Sequence, residues 1–94
     1  MKLRTPLAKF SREMERVLRK NDHKPGWDNE SPFLLLNRLV GEVFELNVAM
    51  DHEIYHIGAP PKGLSFNQAV VKEAVDVANF AMMIADKYRD EELT

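Results

Sequence analysis

Ala69-Val70-Val71-Lys72-Glu73-Ala74-Val75-Asp76-Val77-Ala78-Asn79-Phe80-Ala81-Met82-Met83-Ile84-Ala85 is the stretch whose reading decides this fold. Its only polar residues are Lys72, Glu73, Asp76 and Asn79. At about 100° per residue these four fall on one helical stripe about 120° wide, which also holds Phe80 and Met83. A helix apolar nearly all round is a buried helix, so the carboxylates in its stripe face protein rather than water. Ionised carboxylates do not stay buried and alone; they take up protons, pair with bases or bind metal. A second apolar stretch upstream repeats the contradiction with Glu42-x-x-Glu45. Residues three apart share a helix face, so Glu42/Glu45 and Glu73/Asp76 each project two carboxylates in one direction.

Punctuation outward from these stretches predicts three helices, at about 5–20, 31–50 and 65–88. Thr5-Pro6 and Ser31-Pro32 each place a capping residue before a proline suited to the first helical position. Ser65-Phe66-Asn67-Gln68 matches a capping box. Two connections separate the helices. One carries His23-Lys24-Pro25-Gly26-Trp27, and the other runs through Gly58, Pro60, Pro61 and Gly63, which cannot continue a helix. Residues 89–94 read as a solvated end. No window alternates like a strand. The expected architecture is all-α: an antiparallel helical bundle of three main helices in a single domain, 1–94.

The first helix is amphipathic, with Leu7, Phe10, Met14, Val17 and Leu18 opposite a charged face. The second is not. Leu35, Leu39, Val43, Leu46 and Met50 form one apolar stripe, and Leu34, Leu36, Val40, Phe44 and Val48 cover most of the rest, leaving Arg38, Glu42 and Glu45 as a polar wedge. One thin helix on either side does not cover that much apolar surface. The core is therefore expected to be completed by homo-oligomerisation, as a dimer or tetramer.

Bulk properties narrow the partners. A net charge of −2 and a pI near 5.9 give no footprint for duplex nucleic acid. The absence of cysteine excludes disulfides and thiolate metal sites and is compatible with a cytoplasmic setting. No apolar run approaches a membrane span, and Met-Lys-Leu-Arg-Thr-Pro does not lead into a signal-peptide core, so the expectation is a soluble, cytoplasmic protein.

Antiparallel packing of the second and third helices would bring the two acidic pairs face to face as four oxygen donors. The competing reading is a solvated acidic stripe, with Arg38 pairing Glu42 and Lys72 pairing Asp76 at i,i+4. An oxygen-only ligand set favours a hard cation, Mg²⁺ with Mn²⁺ as a substitute, and magnesium recruits phosphate-bearing ligands.

Glu-x-x-Glu, then 27 residues, then Glu-x-x-Asp resembles the all-α nucleoside triphosphate pyrophosphohydrolases, specifically the MazG-like group. The run from His23 to Trp27 and the segment Glu73-Ala74-Val75-Asp76-Val77-Ala78-Asn79-Phe80 carry the same resemblance. It implies a Mg²⁺-dependent, dimeric or larger helical enzyme that cleaves a nucleotide substrate between its α- and β-phosphates. It also implies Glu42, Glu45, Glu73 and Asp76 as metal ligands. Gly41 departs from the pattern, since many relatives carry another acid there. Phosphoryl transfer asks for positioning and charge neutralisation. Glu42 and Glu45 are the candidates to orient or deprotonate water. Lys24, Arg38 and Lys72 are the candidate phosphate contacts, Asn79 a phosphate or sugar contact, and Trp27 a platform for a base or an anchor for its loop.

Two other readings compete. One is a catalytically idle helical module that binds nucleotide or protein. The other rests on His52-Glu53-Ile54-Tyr55-His56, a literal H-E-x-x-H, which on a helix sets two zinc ligands beside a general base. A zinc hydrolase needs a third ligand. The bland alternative is a helix end where His56 faces the final carbonyls.

Overall fold

Ser31 and Ser65 start two helices as their hydroxyls predict. In a computed structural model, which describes residues 1–89, α1 spans Thr5–Lys20, α2 spans Pro32–Tyr55 and α3 spans Phe66–Lys87. The Ser31 hydroxyl accepts from the Phe33 amide at 3.2 Å. Ser65 and Gln68 complete a reciprocal box: the Gln68 amide donates to the Ser65 hydroxyl at 3.1 Å, and the Ser65 amide donates to Gln68 Oε1 at 2.9 Å. A hydroxyl cap of this kind stabilises by about 1 kcal/mol. α1 departs from expectation, because Arg4 occupies its N-cap without a side-chain bond and Thr5 is already helical. The helix starts on Pro6's fixed φ instead.

α2 runs one turn past the predicted end at residue 50 and closes on His56, which adopts the left-handed conformation at φ 52°. Nothing between Met50 and Tyr55 breaks a helix, so α2 runs on until the chain turns left-handed at His56 and again at Gly58, at φ 70°. A Cβ at Gly58 would lie 3.1 Å from His52 Nε2, so the loop passes close over that ring. Residues from 90 onward, to which part of the expected solvated end belongs, lie outside the described residues.

α3 is the centre of the molecule. Its main packing is against α2 and its second is against α1. Along the α2–α3 pair, His56 meets Phe66, Glu42 meets Glu73, and Leu35 shares a cleft with Phe80, so the two helices run antiparallel. No strand forms among the described residues. The core is thin: Leu35, Ala49, Ala69 and Val75 are the buried apolar residues, with Asn79 beside them. Leu39 and Leu46 are half-buried as expected, but Val43 and Met50, assigned to the same stripe, are exposed on the far side of α2. α1 buries no residue fully, and Leu7 is half exposed. No described helix is long and apolar enough to cross a membrane.

Gly41 stands exposed in the middle of α2, and a Cβ there would meet nothing within 4 Å. Glycine costs a helix interior about 0.5–1 kcal/mol relative to alanine. Gly41→Ala is therefore expected to stabilise the protein by about that amount, read as a higher urea midpoint with an unchanged slope.

Candidate functional site

The antiparallel crossing of α2 and α3 sets Glu42 against Glu73 and Asp76. One carboxylate oxygen from each of these three lies within 4.8 Å of the others, the one such group of three ligand-type side chains among the described residues. All three acids are half-buried. Lys72 closes the group from the side: its ammonium donates to Asp76 Oδ2 at 3.0 Å and to Glu73 Oε1 at 3.3 Å. The i,i+4 pairing of Lys72 with Asp76 forms as its spacing allows. Arg38 does not pair with Glu42; its guanidinium lies 3.9 Å from Glu30.

Burial pushes the Glu42 carboxyl above its ordinary range. The charges of Asp76 and then Glu73, and a hydrogen bond shared with Glu73, push it the same way, while Lys72 opposes them. The hydrogen bond to Asp76 holds the Lys72 ammonium above its usual range against a burial effect of opposite sign. Glu42 thus binds its proton more tightly folded than unfolded. Its contribution to stability is full below the ordinary glutamate range and is lost as pH rises through the raised value. As pH rises from the ordinary glutamate range through the raised Glu42 value, this group's contribution to the thermal midpoint of the metal-free protein is expected to be lost, and Glu42→Gln to remove that component. A Glu42→Gln profile as steep as wild type would contradict this electrostatic account.

Glu45 lies outside the group. It is exposed, one turn along α2 from Glu42, and lines a smaller cleft of about 250 Å³ together with His52 and Glu73. Glu73 therefore belongs to the carboxylate group and also lines the cleft that Glu45 borders.

Asp76 also borders the larger cleft, about 380 Å³, which opens between α1, the loop after it, α2 and α3. Four of the five residues expected to contact substrate line that cleft: Lys24, Trp27, Arg38 and Asn79. Lys72 does not; it stays with the carboxylates. Trp27 holds its loop as well. Its indole N–H donates to Asp86 Oδ2 at 2.9 Å, while the Lys87 ammonium donates to the backbone carbonyls of Trp27, at 3.3 Å, and Asp28, at 2.6 Å. That clamp between the first loop and the end of α3 has no signal in the sequence, because its partners are about sixty positions apart.

Asn79 is 3% exposed. Its side-chain amide donates to the Met14 carbonyl at 3.3 Å, tying α1 to α3, while its Oδ1 has no partner among the described residues.

The histidines of the H-E-x-x-H run are engaged separately. His52 packs under Gly58, and His56 meets the Phe66 ring edge-on at 5.6 Å. His52, Glu53 and His56 form no three-ligand group among the described residues. The left-handed turn at His56 takes it off the helical path that the i,i+4 pairing requires. No protein-family model, curated protein or solved structure matches the chain.

Proposed function

We propose that the chain is a homo-oligomeric, Mg²⁺-dependent nucleoside triphosphate pyrophosphohydrolase of the cytoplasm, splitting an NTP or dNTP into the monophosphate and pyrophosphate. The observation that carries this reading is the convergence of Glu42, Glu73 and Asp76 from two helices, with Asp76 also bordering a cleft lined by Trp27, Lys24 and Arg38. The cleft falls within the size range of small-molecule sites. Magnesium fits this donor set, which is all oxygen and balances three carboxylates against one ammonium. Glu42, Glu73 and Asp76 would hold it, with Glu45 joining from the next turn of α2. Bound there, the dication would offset the charge of the polyphosphate.

The chain's own residues supply the rest. Glu42 and Glu45 would orient the attacking water or take its proton. Arg38 and Lys24 offer cationic contacts to phosphate oxygens, and Trp27, fixed by Asp86, offers a rigid face to a base. Lys72 is free to turn from the carboxylates to the polyphosphate once a dication offsets their charge.

A second reading draws on Lys72 itself. Its ammonium already satisfies Asp76 and Glu73, as it would in an idle binding module that keeps the fold without turnover. Incubation with a panel of canonical and modified nucleotides and Mg²⁺, with pyrophosphate and monophosphate quantified, separates the two. Equal release of both products supports the hydrolase. No release from any nucleotide supports the idle module.

A further inference from the structure

α2 carries a second apolar face that nothing in the chain covers. Phe33, Leu36, Val40, Val43, Met50 and Ile54 are all exposed, and they recur at alternating steps of three and four residues once Asn47 takes its place between Val43 and Met50. That spacing is the heptad a/d repeat, by which helices that coil gently around each other keep one seam in contact. Phe44 flanks the repeat, and the whole set spans an arc of about 120° on the opposite side of α2 from Glu42. The exposures are large: 77% for Phe33, 61% for Val40, 63% for Phe44 and 55% for Ile54. On this face Asp51 is the only charged residue.

We infer that this face is a seam at which α2 packs against α2 of a second copy of the same chain. The inference rests on the homo-oligomeric reading given above and places the contact, which that reading leaves open; it does not depend on the nucleotide chemistry. Three quantities argue for a second copy. The chain exposes 7591 Å² in all, whereas a compact monomer of 10.8 kDa exposes roughly 5500 Å². The side chains on the stripe account for roughly 700 Å² per copy, near the ~800 Å² per partner of a stable interface. A heptad stripe also needs a partner with the same period, and an identical α2 related by a two-fold axis supplies it. Charge agrees with this. Joining two copies through a face whose one charge is Asp51 buries no array of like charges, while a basic or acidic partner would find nothing to pair with.

Asn47 is the specifying residue in the seam. A lone asparagine in a heptad repeat lowers affinity but selects one register and one oligomer size, because a misaligned pairing strands its amide against apolar side chains.

The test is light scattering after size exclusion, with helical content followed by circular dichroism. Wild type is compared with Val40→Glu and Phe44→Glu on the seam, Val71→Glu on an exposed part of α3, and Asn47→Leu. Wild type and Val71→Glu are expected to be oligomeric. Val40→Glu and Phe44→Glu are expected to dissociate at least about 100-fold more readily, the equivalent of losing one or two buried anchors. Asn47→Leu is expected to raise the thermal midpoint and to broaden the mass distribution toward other assemblies. If the seam glutamate variants do not fold at any concentration, the melts of wild type, Asn47→Leu and Val71→Glu decide the matter. A midpoint that climbs with protein concentration, and climbs differently in Asn47→Leu but not in Val71→Glu, supports the seam; one independent of concentration, or a dependence that Asn47→Leu leaves unchanged, overturns it. A monomeric wild type overturns both the seam and the oligomeric reading. An oligomer that persists in Val40→Glu and Phe44→Glu, or that Val71→Glu disrupts equally, overturns the seam alone. In that case the contact lies elsewhere, and the stripe serves another partner or none.

Discussion

Glu73→Gln and Asp76→Asn are each expected to lower pyrophosphate release by about 10³-fold or more while leaving the metal-free fold within about 1 kcal/mol of wild type. Each substitution keeps the side chain's size and replaces one anionic oxygen with an amide, a poor ligand for a hard dication. On the proposed metal role, several kcal/mol of transition-state charge stabilisation would pass through these oxygens, and each 1.36 kcal/mol is a factor of about ten in rate. The effect on stability is small for two opposing reasons. Asp76 loses its bond with Lys72, but Lys72 is half exposed, and such i,i+4 pairs contribute only about 0.3–0.5 kcal/mol. Against that loss, removing one of three crowded carboxylates relieves repulsion with Glu42. Steady-state product assays and urea denaturation of the metal-free variants measure the two sides. Loss of activity together with a stability loss of about 3 kcal/mol would mark the acids as structural instead.

Leu35→Ala is the substitution with the largest expected effect on folding. Leu35 is 1% exposed, and together with Val75 it is one of the two largest side chains fully enclosed in the described core. Truncating an enclosed leucine costs about 2–5 kcal/mol, through lost transfer energy and the cavity left behind. A domain of this size has a total stability near the low end of about 5–15 kcal/mol, so the loss takes much of what there is. Leu35 also lines the larger cleft, so its removal loosens the wall opposite Phe80. Thermal melts at one fixed protein concentration provide the measurement, because association shifts the midpoint by mass action. A shift within a degree or two would show that the core is carried elsewhere.

Much of this architecture could be read from local signals. Ser31-Pro32 and the Ser65 box fixed two helix starts within a residue, because a hydroxyl cap acts over three positions. α2 continues to Tyr55, beyond the expected end at about residue 50, because Asp51 to Tyr55 contain no glycine or proline to break it. The stripe from Lys72 to Asn79 placed Glu73 and Asp76 toward α2, since periodicity dictates which side chains share a face. It did not say how deep along that face a partner would sit. Glu42 and Glu45 share a direction in sequence, yet only Glu42 joins Glu73 and Asp76, and Glu45 stays exposed one turn on. Arg38 was matched to Glu42 by spacing, and the loop delivered Glu30 instead. The Asp86 and Lys87 hold on the Trp27 loop, and the Asn79 tie to Met14, depend on which helix ends meet. No short-range pattern encodes that.

Calorimetric titration with Mn²⁺, in the presence of a non-hydrolysable nucleoside triphosphate, tests most directly whether these carboxylates hold a dication beside a polyphosphate. Saturable binding in wild type that is lost in both Glu73→Gln and Asp76→Asn is the expected result. Binding absent from wild type, or unchanged in those variants, would contradict the account.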